Sequence, residues 1–252
     1  DIDGVLYGGS APVAKGPGVL NYLRERGFGF LLVTNTSRMS QSQIRDKLMD
    51  LGYQIDLNEI FPVSLAAVEY LSNRFGQARC FLIGDPSLEM FLTDSGHSVV
   101  RHETPVDAVV MGQCMWPDFG EIDIARRLIN DGAEPIALHR DPTWPDGNVT
   151  RIGLGSMVAA LELVISRSVT LIGKPQRAFF DAALARTGFE RSQTVMIGDS
   201  LSSDIAGGIN AGLKSLLVRT GNSISDPIPP GCDGELPSIA DLPQWCDAHL
   251  DG

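Results

Sequence analysis

Phe28-Gly29-Phe30-Leu31-Leu32-Val33 is a short, nearly continuous apolar run, the pattern of a strand buried on both faces of a parallel sheet. Before it, residues 18–26 carry Val19, Leu20 and Leu23 at helical spacing, and after it residues 40–51 carry Ile44, Leu48 and Leu51 behind a Ser40 that can cap a helix. The alternation continues. Strands are predicted at 80–83, 108–111, 135–138, 169–172, 194–197 and 215–218, and helices at 65–75, 121–131, 155–166, 177–186, 204–211 and 242–249. Strand–helix alternation of this length predicts an α/β fold with a doubly wound parallel sheet.

Such sheets bind ligands at the carboxyl ends of their strands, and four of these ends carry polar chemistry. Asp1-Ile2-Asp3-Gly4 opens the chain; Thr34-Asn35-Thr36-Ser37 follows the first run; Gly173-Lys174-Pro175 follows 169–172; Gly198-Asp199-Ser200, with Asp204 beyond, follows 194–197. Each has a plain structural alternative: an exposed acidic terminus, a helix cap, a solvated lysine, a turn aspartate. Their joint arrival at four strand ends of one sheet favours a single site. Two carboxylates two residues apart attract a hard divalent cation such as Mg²⁺. One can attack an electrophile while the other moves a proton.

The composition sets the outer bounds. The chain has 252 residues, 43% hydrophobic and 20% charged, with a net charge of 20 − 31 = −11. That describes one or two globular domains and excludes a disordered chain. No basic run exceeds Arg126-Arg127, so a nucleic-acid partner is not expected. No apolar stretch is long enough for a membrane span. Cys80, Cys114, Cys232 and Cys246 form no Cys-x-x-Cys pair, and the simpler reading is free thiols in a reducing, cytoplasmic compartment.

Taken together, DIDGVL, VTNTS, the lysine of LIGKP and GDSLSSD resemble, in order, the four motifs of the haloacid dehalogenase superfamily. The spacing resembles its NagD-like members, which insert a large α/β cap between the second and third motifs. The resemblance implies a catalytic core at residues 1–76 and 169–252 and a cap at 77–168. It implies Asp1 as the nucleophile that takes a phosphoryl group as an aspartyl phosphate, and Asp3 as the acid that protonates the leaving oxygen and then activates water. Thr34 and the Asn35 main chain would hold the phosphoryl oxygens, with Lys174 offsetting their charge. Asp1, the Asp3 main-chain oxygen and Asp199 would hold Mg²⁺, and Asp204 would orient Lys174 or a metal-bound water. Dehalogenating members lack an acid two residues after the nucleophile, because a halide leaves without a proton; Asp3 therefore points to phosphate esters.

The implied activity is a Mg²⁺-dependent phosphatase of small phosphorylated metabolites: nucleotide, sugar, glycerol or pyridoxal phosphates. The chain would act as a monomer or homodimer. The rival readings are a phosphotransferase or mutase on the same core and a catalytically silent binding protein. In the implied cap, His139, Arg140 and Asp141 are the candidate substrate contacts, with His139 and Arg140 expected to recognise an acidic leaving group. Cys114, His139 and Ile152 depart from the usual subfamily residues. The family's first motif ends a central strand, so that strand is expected to lie ahead of Asp1.

Overall fold

The computed structural model describes residues 1–115, 117–146 and 149–249. The chain forms two compact units, one of residues 1–34, 41–61 and 174–252, the other of residues 35–40 and 62–173. The helix Val63–Phe75 groups with the second unit.

In the second unit, five strands form one sheet in the order Thr170–Leu171, Glu134–Ala137, Ala108–Met111, Arg79–Ile83, Ser98–Val100, and every neighbouring pair is parallel. The central strands are the apolar runs that the sequence marks. Phe81, Leu82, Val109, Val110 and Ile136 are all 0% exposed, as expected of strands covered on both faces. The helix Phe119–Asn130 packs on Ala108–Met111 and Arg79–Ile83.

In the first unit, Val195–Gly198, Lys214–Val218 and Gly234–Leu236 run parallel. The Asp1 nitrogen donates to the Ile197 carbonyl at 2.8 Å, tying the start of the chain to the first of these strands. The helix Arg177–Thr187 buries Phe179, whose ring lies 5.3 Å from that of Phe61.

Several expectations are corrected. The run 28–33 yields a strand only at Leu32–Thr34, because only that part is fully buried. Phe28 and Phe30 are half-exposed and lie under the guanidinium groups of Arg26 and Arg24. The predicted helix 204–211 begins instead as a π-type turn over Leu201–Ile205, followed by a short α-helix at Ala206–Ala211. The helix Pro86–Asp94 was not anticipated, although Asp85 accepting from the Ser87 N–H and a proline in the first turn are its sequence signature. The hairpin Thr143–Asp146 with Val149–Ile152 was also missed; its polar composition gives no strand periodicity.

Phe81 is fully buried on the strand Arg79–Ile83 of the five-stranded sheet, so Phe81→Ala is expected to cost about 3–5 kcal/mol. Urea unfolding of the two proteins checks this; a loss below about 1 kcal/mol would contradict the packing described.

Candidate active site

The first unit gathers Asp1, Lys174, Asp199 and Asp204. Lys174 precedes Pro175 at the start of the segment leading into the helix Arg177–Thr187. Its side chain is 3% exposed, and its ammonium donates to Asp1 Oδ1 and to Asp204 Oδ1, each at 2.6 Å. The other oxygen of Asp204, Oδ2, accepts the Ser200 N–H at 3.1 Å. The π-type turn makes this possible. The N–H groups of both Asp204 and Ile205 reach the Ser200 carbonyl, at 3.0 and 3.1 Å, and the widened turn aims Asp204 back toward the strand end.

Asp199 follows the strand Val195–Gly198 and is 2% exposed. Its Oδ2 accepts the Asn222 N–H at 2.6 Å. Burial, followed by the charge of Asp204, pushes its carboxyl up to about 6 despite that hydrogen bond. Asp1, Asp199 and Asp204 each offer a carboxylate oxygen, all within 4.8 Å of one another. Three carboxylates face one ammonium, so the cluster carries excess negative charge in a largely buried setting. All-oxygen ligands with a charge deficit fit a hard divalent cation such as Mg²⁺. A bound dication would also reverse the cause of the Asp199 shift.

Glycines make the close approach possible. A Cβ on Gly221 would lie 1.9 Å from Asp199 Oδ2, and one on Gly198 would lie 2.2 Å from the Asp204 Cβ. Gly4 is doubly constrained: its φ is +78°, and a Cβ there would lie 2.3 Å from Asp199 Oδ2. The loop after Lys214–Val218 supplies the rest of this wall, with the Thr220 hydroxyl donating to the Gly4 carbonyl at 2.6 Å. Sequence reasoning missed Thr220, Gly221 and Asn222. Their position directly after a predicted strand was the available signal.

Asp3 points elsewhere. The Tyr7 hydroxyl donates to Asp3 Oδ1. Burial, then the charge of Asp3 and this hydrogen bond, holds the Tyr7 phenol well above its usual range, so it stays a donor. Thr34 ends the strand Leu32–Thr34 and is 2% exposed.

The remaining expected residues lie in the second unit. Asn35 Nδ2 donates to Asp141 Oδ2 at 3.3 Å, and the same oxygen lies 2.9 Å from His139 Nδ1. His139 is 5% exposed. Arg140 bonds Glu162 at 2.5 Å, and Glu162 also accepts the Val169 N–H at 3.2 Å. Thus Arg140 is already paired, and Asp141 is the member of the trio that contacts Asn35. Gly153 and Gly155 let the helix Leu154–Val164 start against this loop: a Cβ on either would lie 2.3 Å from the carbonyl oxygen of Asp141 or Arg140 respectively.

The raised carboxyl of Asp199 has a consequence for the metal-free protein. A group whose folded pKa exceeds its ordinary 3.8 favours the fold below that value and loses this favour as pH rises through about 6. Asp199→Asn is therefore expected to raise the melting temperature of metal-free protein at pH 7, the gain fading as pH falls below about 6 toward 3.8. Thermal scans in EDTA across that range check it; an unchanged or lowered melting temperature at pH 7 would contradict the buried, uncompensated charge.

The sequence matches the haloacid dehalogenase-like hydrolase family over residues 1–98 and the HAD-hydrolase-like family over residues 171–233. A protein named acid sugar phosphatase from Staphylococcus epidermidis is 29% identical over 228 residues, covering 90% of this chain and 88% of its own. The crystal structure of a glycerol phosphate phosphatase from Mycobacterium tuberculosis in complex with magnesium superimposes with a TM-score of 0.81 at 31% identity, covering 88% of this chain and 67% of that one. A structure described as a putative nagD protein superimposes with a TM-score of 0.90 at 26% identity, covering 97% of this chain and 96% of that one. With its α/β architecture and these matches, the chain belongs to the haloacid dehalogenase-like hydrolases and has a NagD-like fold.

Proposed function

We propose that this hydrolase is a Mg²⁺-dependent phosphatase of small phosphate monoesters. The observation that carries the reading is the buried Lys174 ammonium shared by Asp1 and Asp204 beside Asp199. A carboxylate and a phosphate dianion repel, so attack by Asp1 needs positive charge at the site. Lys174 supplies part of it. Mg²⁺ held by Asp1, Asp199 and the Asp3 main-chain oxygen would supply the remainder, by offsetting charge on the phosphoryl oxygens.

Asp1 attacks phosphorus and forms an aspartyl phosphate as the bond to the leaving oxygen breaks. Asp3 gives its proton to that oxygen, then takes one from the water that hydrolyses the intermediate. The Thr34 hydroxyl and the main chain of Asn35 hold the transferring oxygens. Asp204 keeps Lys174 aimed at Asp1. On this reading the catalytic core is residues 1–76 and 169–252 and the inserted cap is residues 77–168, with His139, Arg140 and Asp141 its candidates for reading the substrate. The names of the relatives point to sugar phosphates and glycerol phosphate as the first substrates to try. None of the four cysteines is disulfide-bonded, which fits a reducing, cytoplasmic setting. No helix among the described residues is long and apolar enough to cross a membrane.

Phosphate release from a panel of sugar, glycerol, nucleoside and pyridoxal phosphates tests the proposal. Release is expected with Mg²⁺ and lost in EDTA. Asp3→Asn is expected to lower turnover of alkyl phosphates roughly 10²- to 10⁴-fold, and Asp1→Asn to abolish it. Release that survives EDTA, or an active Asp1→Asn protein, would overturn the mechanism. Stoichiometric transfer to an acceptor other than water would favour a phosphotransferase instead.

A further inference from the structure

Tyr7 lies four residues after Asp3. The positive φ of Gly4 turns the chain between them, and the Gly4 N–H closes the turn on the Tyr7 carbonyl at 2.9 Å. Asp3 and Tyr7 pair as an isolated bridge. The Tyr7 side chain is buried and held by two partners. The residue is 4% exposed, its hydroxyl donates to Asp3 Oδ1, and the Lys47 ammonium sits 3.8 Å from its ring centroid. Lys47 comes from the helix Gln41–Asp50 and makes no ion pair among the described residues. A cation over the ring face draws electron density from the phenol and strengthens its O–H as a donor.

We infer that Tyr7, backed by Lys47, is the positioning residue for Asp3 in proton transfer to the leaving group. The inference rests on the phosphatase reading above. With Oδ1 engaged by Tyr7, Oδ2 is the oxygen left to carry the transferable proton. As the Asp1 oxygen bonds to phosphorus and the bond to the leaving oxygen breaks, the Oδ2 proton passes to that oxygen. Asp3 is left as a carboxylate, and the Tyr7 hydrogen bond stabilises it. Tyr7 touches neither substrate nor metal in this scheme; it fixes the Asp3 rotamer and chooses the donating oxygen. Holding a proton donor in place matters most when the leaving oxygen is a poor one.

This dependence on the leaving group separates positioning from a structural role. Tyr7→Phe is expected to lower kcat on glycerol phosphate about tenfold, a fraction of what a general acid supplies. KM should hold, and the loss on p-nitrophenyl phosphate, whose phenolate leaves with little help, should be markedly smaller. Lys47→Met should show the same selectivity at smaller size. Added to Asp3→Asn, Tyr7→Phe should cost nothing more, since both act through one proton. Equal losses on the two esters, or a full additional loss in the double variant, would overturn the inference alone. Wild-type protein that hydrolyses neither ester would overturn the phosphatase reading and this inference with it.

Discussion

The Lys174 ammonium is the constraint on which the site depends. It is buried, and it bonds two carboxylates that come from distant parts of the chain, Asp1 and Asp204. Removing one partner from such a buried ion pair typically costs about 3–5 kcal/mol, because the remaining charge is left without water. The glycines at 4, 198 and 221 follow from the same demand, since side chains there would occupy the space that the Asp199 and Asp204 carboxylates need. Local structure is thus shaped to hold acids closer than their charges favour. The arrangement leaves a deficit of positive charge, which a bound divalent cation would offset.

Charge also explains why Asp1 and Asp3 take different directions. On a continuous extended strand, residues two apart face the same side. Residues 1–3 are not such a strand: Asp3 makes only an isolated bridge, and Asp1 and Ile2 lie in no ladder. Asp1 is drawn to Lys174, whereas Asp3 turns to Tyr7. One acid is fixed by an ammonium and the other by a neutral hydroxyl, which is the difference that the proposed roles of nucleophile and proton donor call for. Environment divides the labour between two identical side chains.

Much of the fold was legible because buried parallel strands have a simple signature. The run at 108–111 and the closing helix at 242–249 are found where periodicity puts them. The run at 28–33 misleads because apolar residues at a surface look the same in sequence as apolar residues in a core. The Thr143–Asp146 hairpin left no apolar pattern to read. At the site, residues just after strands were legible, since the sheet brings those ends together: Lys174 and Asp199 are examples. Tyr7 was not, because its contribution lies in which atom it touches, and no spacing rule encodes that; Gly221 and Asn222 had the signal of lying just after a predicted strand. In the second unit, the ion pair of Arg140 with Glu162 is a contact that no spacing in the sequence shows.

Asp1, Asp199 and Asp204, with Lys174 bonded to two of them, leave a site for one divalent cation. Calorimetric titration of Mg²⁺ into the wild-type and Asp199→Asn proteins addresses it most directly. The account predicts a single Mg²⁺ bound by the wild type and loss of that binding in Asp199→Asn. A wild-type protein that binds no Mg²⁺, or a variant that binds it equally well, would contradict the account.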